Sequence, residues 1–366
     1  MTRRIAIDAS LVGERVTGAG RVLTNLVRAL PEIDRGSEYI ALATDEGAQV
    51  LRETGARIEV IATSLRSGLL WEIHDRGRVA ARANADAVLT FREIVAGGGP
   101  PVVLHLFEPP AYRISARRVR TLTDLRHATK DRVLARALQG SVRRAATVTA
   151  GSETTANWLR TRYGTSTDVV YPGIDPVFLT AEASDPTSDP PYLLHSASGD
   201  ARDNTDLVLS AFARIAHRQV RLSIVSSPTA LRASLQLRAE ALGMADRVDI
   251  VGWVTDEELR DLYRGAVLFV HPSKYEGFAG YPALEAMALG TPVVALKAPG
   301  ASEALGGVSR LVPREDAGLL ADAIDALLDN DSLRGALGSA GRERAQALTW
   351  ESTAAAFAAV FARLLG

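Results

Sequence analysis

From end to end the chain alternates short runs of β-branched and other apolar residues with longer amphipathic stretches. That alternation leaves room for little besides parallel sheets wound with helices. In the first half, strands are predicted at Arg4–Asp8, Tyr39–Ala43, Ile58–Ile61, Ala87–Thr90, Val102–His105 and Thr147–Thr149. Helices are predicted at Arg21–Leu30, Leu69–Arg82, Ala116–Leu138 and Ser152–Arg162. In the second half, strands fit Tyr192–Ser196, Arg221–Val225, Val248–Val251, Val267–His271 and Pro292–Leu296. Helices fit Asn204–His217, Ala230–Leu242, Asp256–Arg264, Pro282–Leu289, Glu315–Leu328, Ser332–Leu348 and Trp350–Leu365.

A chain of 366 residues is too long for one ordinary core and suggests two. The clearest break is TAEASDPTSDPP, Thr180–Pro191, which is polar, proline-rich and without periodicity. The expected organisation is therefore an α/β domain over 1–180, a linker at 181–191 and a second α/β domain over 192–348. A closing helix over 349–366 would pack back toward the first domain. Two doubly wound domains facing across a cleft would line it with the carboxyl ends of both sheets, where open α/β sheets bind ligands.

Composition narrows the chemistry. The absence of cysteine excludes disulfide scaffolds, thiolate metal sites and cysteine nucleophiles. No apolar run is long enough for a signal peptide or a membrane span, so a cytoplasmic protein is expected. A net charge of −1 hides an asymmetry: 25 basic and 19 acidic side chains to Thr180, then 17 and 24. Ten of the basic residues fall within Arg113–Arg144, against only Asp124 and Asp131. Two readings stay open, a solvated helix face or a surface for an anionic acceptor or for membrane headgroups at the inner face. Nucleic acid is not expected, because almost no aromatic side chains interleave with the basic ones.

The stretch His271–Leu296, HPSKYEGFAGYPALEAMALGTPVVAL, carries the most chemistry. A strand ends near His271, and a loop follows with Glu276 and the small or flexible positions Gly277, Ala279 and Gly280. Pro282 suits the first turn of a helix and Gly290 its end. Glu285 would lie one turn in, facing the same mouth as Glu276. Loop N–H groups and a helix N-terminus favour a phosphate or diphosphate, and the two carboxylates suit sugar hydroxyls. A plain glycine-rich strand-to-helix turn, with Glu285 as a cap, would read the same way.

This stretch strongly resembles the C-terminal motif of the retaining glycosyltransferases of family 4, which have the two-domain GT-B fold. The resemblance continues through DRVDIVGWVTDEELRDLYRGAVLFVHPS before it and ALLDNDSLRGALGSAGRERAQALTWESTA after it. In the first half it takes in RIAIDASLVGERVTGAGRVLTNLVRAL, RRAATVTAGSETTANWLRTRYG and VVYPGIDPVF. It implies a sugar moved from a nucleotide-diphosphate donor to a hydroxyl acceptor with retention, without metal or other cofactor. By the same resemblance, Glu276 matches the residue that contacts the donor sugar and Glu285 the one that holds the ribose. Gly277, Phe278, Ala279 and Gly280 match the donor-binding loop. Gly18, Ala19 and Gly20 match the N-terminal loop near the diphosphate; without it they are a helix-entry turn, too weak for a nicotinamide fingerprint.

Two departures stand out. Eight residues separate Glu276 from Glu285 where the family has seven, which places the extra residue in Gly277–Tyr281 and shifts Glu276 and the loop amides. In HSASGDARDNTDL, Arg202 is followed by Asp203 where the family has a lysine on the diphosphate. A carboxylate ~4 Å from a diphosphate would cost on the order of 4 kcal/mol per charge pair at an effective dielectric of ~20. Arg202 is thus expected to supply the cation alone, with Asp203 turned away to cap the helix near Asn204. His105, at a strand end one position from the family's active-site histidine, is a candidate to assist the acceptor hydroxyl or a structural hydrogen-bonding residue. His271 packs under the motif, Lys274 is a surface lysine or a phosphate counter-charge, and Asp329-Asn330-Asp331 is a turn. No metal-ligand spacing stands out. The competing functions are a weakly active or inactive homologue serving as a binding subunit, and a nucleotide-sugar epimerase or glycoside phosphorylase of the same fold.

Overall fold

The computed structural model describes residues 2–13, 18–55, 57–64, 68–110, 112, 122–183, 186, 188–226 and 228–366, without the side chains of 122–124, 126–128 and 130. The first part of the basic stretch, residues 113–121, including the predicted start of its helix, lies outside the described residues; the helix is described over Leu122–Arg144.

Two compact units form. The first comprises the described residues up to Gly173 and the C-terminal 348–366, and the second the described residues from Ile174 to Ala347. The first unit holds a parallel sheet of β1 (Arg3–Asp8), β2 (Ser37–Ala43), β3 (Glu59–Ala62), β4 (Ala87–Thr90), β5 (Val102–Leu106), β6 (Thr147–Ala150) and β7 (Thr167–Val169). Its order is β3-β2-β1-β4-β5-β6-β7. The second sheet, also parallel, contains β8 (Tyr192–Ser196), β9 (Arg221–Val225), β10 (Val248–Val251), β11 (Leu268–His271), β12 (Val293–Leu296) and β13 (Arg310–Val312). Its order is β10-β9-β8-β11-β12-β13. Strand order therefore reverses between β1 and β4 in one sheet and between β8 and β11 in the other. Those are the places where carboxyl-end loops diverge and leave room for a ligand.

Strands buried on both faces read as continuous apolar runs, which is why β4, β11 and β12 are wholly buried. In the second unit, Leu193, Leu222, Ile224, Leu268 and Val270 meet Leu209, Phe212, Leu320 and Ile324 from the flanking helices in one core. The C-terminal helix Trp350–Leu365 belongs to the first unit and runs against helix Gly18–Ile33. Phe357, Val360 and Phe361 are buried there, and Thr353 Oγ1 donates to the Tyr171 carbonyl at 2.8 Å.

Several predicted elements differ from their sequence reading. The second unit starts at Ile174 rather than after Thr180, and the expected linker packs onto it. Phe178 is buried against the Tyr263 ring at 6.1 Å, the Ala181 carbonyl accepts from Arg342 at 2.7 Å, and Ser188 Oγ lies 3.3 Å from the Gly265 carbonyl. The helix predicted over Leu69–Arg82 contains a π-helical turn at Trp71–Asp75 between helical Gly68–Leu70 and Arg76–Arg82. Trp71, Glu72 and Arg76 are all buried, and the wider turn brings positions five apart onto one inward face. The helix expected from Asn204 to His217 ends at Phe212.

Candidate functional site

The loops after β8 and β11 meet at the reversal point of the second sheet. They are joined by backbone: Lys274 N–H donates to the Arg202 carbonyl at 3.1 Å, and Asn204 Nδ2 to the Pro272 carbonyl at 3.3 Å. Arg202, Asp203, Lys274 and Glu276 are thereby gathered at the carboxyl ends of neighbouring strands.

Glu276 is buried. Its Oε1 lies 2.9 Å from Ser273 Oγ and 3.5 Å from His271 Nε2. Burial pushes its carboxyl up, but His271, the positive Arg202 and Ser273 outweigh that and hold it below the ordinary glutamate value. A buried carboxylate kept ionised beside a cation suits hydrogen bonding to hydroxyl groups.

The segment 277–280 closes the loop over this carboxylate. Gly280 adopts φ 76° and is the N-cap of helix Tyr281–Ala288, which carries no side-chain cap. A Cβ at Gly280 would come within 2.8 Å of Glu276 Oε1 and 3.0 Å of His271 Nε2, so only glycine fits. Beneath the loop, Gly300 at φ 79° lets its backbone lie against the Glu276 and Phe278 carbonyls, where a Cβ would clash at 2.4 and 2.5 Å. Ala279 is fully buried. The longer motif thus forms a closed, packed turn.

Glu285 faces inward from the following helix and is 4% exposed. The Tyr263 hydroxyl, on helix Asp256–Gly265, donates to its Oε2 at 3.1 Å. Tyr263 had no signal in the sequence beyond an apolar position on an amphipathic helix.

Asp203 does not cap the helix at Asn204. Its Oδ2 accepts from the backbone N–H groups of Ser198 (2.7 Å) and Gly199 (3.1 Å) and from Ser198 Oγ (2.8 Å). Burial raises its carboxyl above the usual aspartate value, with the Ser198 bonds and Arg202 opposing. The helix Thr205–Phe212 instead follows a left-handed Asn204, φ 56°, with no side-chain cap bond. Arg202 lies over the Tyr275 ring at 5.9 Å, its Nε 3.9 Å from Asp200. Lys274 pairs with Glu315 at 3.3 Å.

The candidate residues of the first unit take the second of their two sequence readings, a helix-entry turn for Gly18–Gly20 and a structural hydrogen bond for His105. Gly18, Ala19 and Gly20 form the first turn of helix Gly18–Ile33, and residues 14–17 before them lie outside the described residues. His105 is not open to an acceptor. It is 2% exposed, its Nδ1 lies 2.9 Å from Thr149 Oγ1, and the rings of Phe91, Phe107 and Phe357 surround it at 4.9, 5.0 and 5.3 Å. Burial pushes it down to about 3, so it is neutral and structural. The strand-end position and the closing helix Trp350–Leu365 were both legible; that this helix lays Phe357 against His105 was not.

Sequence reasoning also missed a buried network at the reversal point of the first sheet. Asp8 Oδ1 accepts from Ser10 Oγ (2.6 Å) and Trp71 Nε1 (2.9 Å), and Oδ2 from Thr90 Oγ1 (2.8 Å) and Arg76 (3.3 Å). Arg92 extends it, donating to Ser10 Oγ at 2.8 Å and to Glu72 at 3.1 Å. With both oxygens of Asp8 doubly engaged, no lone pair remains for a reacting proton.

Among the described residues no helix is long and apolar enough to cross a membrane, and no three His, Asp or Glu side chains are grouped to hold a metal. The triplet Asp329-Asn330-Asp331 is a turn between helices Ala317–Leu328 and Asp331–Ala345, with Asn330 capping the second.

Residues 180–344 match the family model described as glycosyl transferases group 1, and residues 16–178 that described as Glycosyltransferase Family 4. The MMP alpha-(1->4)-mannosyltransferase of Mycolicibacterium hassiacum is 37% identical over 163 residues, 43% of this chain and 39% of that protein. Alignments to curated relatives span between 28% and 54% of those proteins' lengths. Sucrose-phosphate synthase from Thermosynechococcus elongatus superposes with a TM-score of 0.79 at 22% identity, covering 99% of both chains. Anabaena Alr3699/HepE, solved in complex with UDP and glucose, gives 0.72 at 20% identity, covering 99% of this chain and 100% of that one. These superpositions fix the fold as a pair of parallel α/β units of the kind those enzymes share.

Proposed function

Because the chain belongs to family 4 of the glycosyltransferases and has the GT-B fold, we propose that it moves a sugar from a nucleotide-diphosphate donor to a hydroxyl acceptor with retention at the anomeric carbon. The observation that carries this reading is the buried, ionised Glu276 beside Arg202 at the reversal point of the second sheet. Glu276 and the turn 277–280 hold the transferred sugar, Glu285 with Tyr263 holds the ribose, and Arg202 with the uncapped N-terminus at Gly280 faces the diphosphate. Binding of UDP by the Anabaena neighbour supports a nucleotide donor. The first unit receives the acceptor, and Gly18–Gly20 lie in the first turn of its helix Gly18–Ile33. Neither His105 nor Asp8 is available as a base, which favours the departing diphosphate oxygen as the group that takes the acceptor proton on the same face. Charge developing on that oxygen is where fixed positive groups act most strongly.

The competing reading, an inactive binding subunit, was suggested by Asp203. Its carboxylate is engaged by the Ser198 and Gly199 amides, which supports Arg202 as the working cation. Titration calorimetry with nucleoside diphosphates tests this. Arg202→Ala is expected to weaken binding at least roughly tenfold, the loss of one charge-assisted phosphate contact. Asp203→Asn is expected to change it little, because the amide oxygen still accepts from both backbone groups. A wild-type chain that binds no nucleoside diphosphate, with Asp203→Lys that does, would replace the transferase reading with the binding subunit.

A further inference from the structure

The polar groups around Glu276 are incompletely matched. His271 closes β11, is 7% exposed and stacks on Phe269 with ring centres 5.8 Å apart. Among the described residues its buried Nε2 has no hydrogen-bond partner; Glu276 Oε1 is 3.5 Å away, beyond the usual bond length. Ser273 has a single hydroxyl proton shared between Glu276 Oε1 at 2.9 Å and the Tyr275 carbonyl at 3.1 Å. One carboxylate oxygen thus faces a half-committed donor and an uncommitted one. Leaving a buried nitrogen unpaired costs about 1–3 kcal/mol, so a state that closes this gap is favoured. Gly280 makes the gap closable: its missing Cβ is the space between Oε1 and Nε2 on that side.

We propose that His271 is a positioning residue for Glu276: its Nε2–H closes onto Oε1 in the free chain and, with the donor sugar bound, holds Oε2 toward the sugar hydroxyls. This rests on the reading of Glu276 as the group that holds the transferred sugar. The direction of the bond follows from the surroundings. The other charged group acting on Glu276 is Arg202, which keeps it an acceptor, and Lys274 is paired with Glu315. Behind His271, His195 is pushed down to about 4 by burial and is neutral; its Nδ1 lies 2.8 Å from the Val270 carbonyl and its Nε2 3.0 Å from Thr205 Oγ1. Glu276 therefore meets His271 as a carboxylate accepting from an N–H.

The test has one readout that needs no donor and one that does. In the full-length chain, the titration midpoint of Glu276 is followed by carbon-13 NMR of labelled glutamate, assigned with Glu276→Gln. His271→Phe removes the donor and leaves burial less opposed, so the midpoint is expected to move to higher pH. His271→Gln, whose amide N–H reaches the same oxygen, is expected to restore it. With a nucleotide sugar turning over, His271→Phe should lower kcat roughly tenfold or more with donor KM changed far less. The acid limb of its kcat profile should move up in pH with the NMR midpoint, a shift that loss of packing alone does not produce. An unchanged midpoint in folded His271→Phe overturns the proposal; so does a His271→Gln midpoint displaced upward from wild type, which decides the matter if phenylalanine does not fold. If no nucleotide sugar turns over, the proposed function fails on its own, while the midpoint still decides whether His271 acts on Glu276.

Discussion

Glu276→Ala is expected to lower turnover roughly 10²-fold while leaving nucleoside diphosphate affinity nearly unchanged, because on the proposed function the lost contacts are to the reacting sugar. Glu285→Ala is expected to behave oppositely. A ribose contact is made equally in ground and transition states, so its loss raises donor KM and leaves kcat close to wild type. The structure separates the two residues in a way that makes the contrast readable. Glu276 is fixed by Ser273 and bordered by His271 and Gly280 in a tight turn, whereas Glu285 is oriented from a different helix by Tyr263. Steady-state kinetics with varied donor checks both. Equal, small losses from the two would mean that the longer turn has removed Glu276 from the chemistry.

A second large effect is expected far from any donor. Asp8→Ala should cost the first unit about 3–5 kcal/mol, the range for removing one partner of a buried ion pair. Arg76 is 3% exposed and would keep its charge with only Thr90 Oγ1 and the Ile94 carbonyl as partners. The Trp71 indole N–H and the Ser10 hydroxyl would lose their acceptor as well. Because Trp71 opens the π-helical turn and Arg76 follows it, the segment 71–76 should loosen first. Urea unfolding of the full chain followed by tryptophan fluorescence reads the loss. A change below about 1 kcal/mol would show that the network does not hold this segment.

Periodicity made most of the architecture legible, since a buried parallel strand must read as an apolar run whatever follows it. The exceptions have physical causes. β7 (Thr167–Val169) and β13 (Arg310–Val312) are three-residue edge strands, too short and too polar for a pattern. The stretch Thr180–Pro191 has linker composition, yet a few anchors, Phe178 just before it and the Ala181 carbonyl within it, hold it to the second unit. For the site, Glu276, Glu285 and Arg202 could be named because each lies in a contiguous motif. Their partners could not. Asp8 meets Trp71 and Thr90 across 63 and 82 residues of sequence, and His105 is covered by a helix from the far end of the chain. Asp203 shows the same limit at short range, where one backbone turn decides whether a carboxylate caps a helix or a loop.

The central claim is that the chain spends a nucleotide-diphosphate sugar. The direct measurement is release of nucleoside diphosphate from a panel of nucleotide sugars by the purified full-length chain, with and without exhaustive chelation. The account predicts that at least one donor is consumed, slowly to water and faster with a hydroxyl acceptor, that the product keeps the donor's anomeric configuration, that chelation changes nothing, and that Glu276→Ala abolishes most of the release. Contradiction would be no release from any donor by a chain that still binds nucleoside diphosphates, or release that stops on chelation and returns with magnesium or manganese.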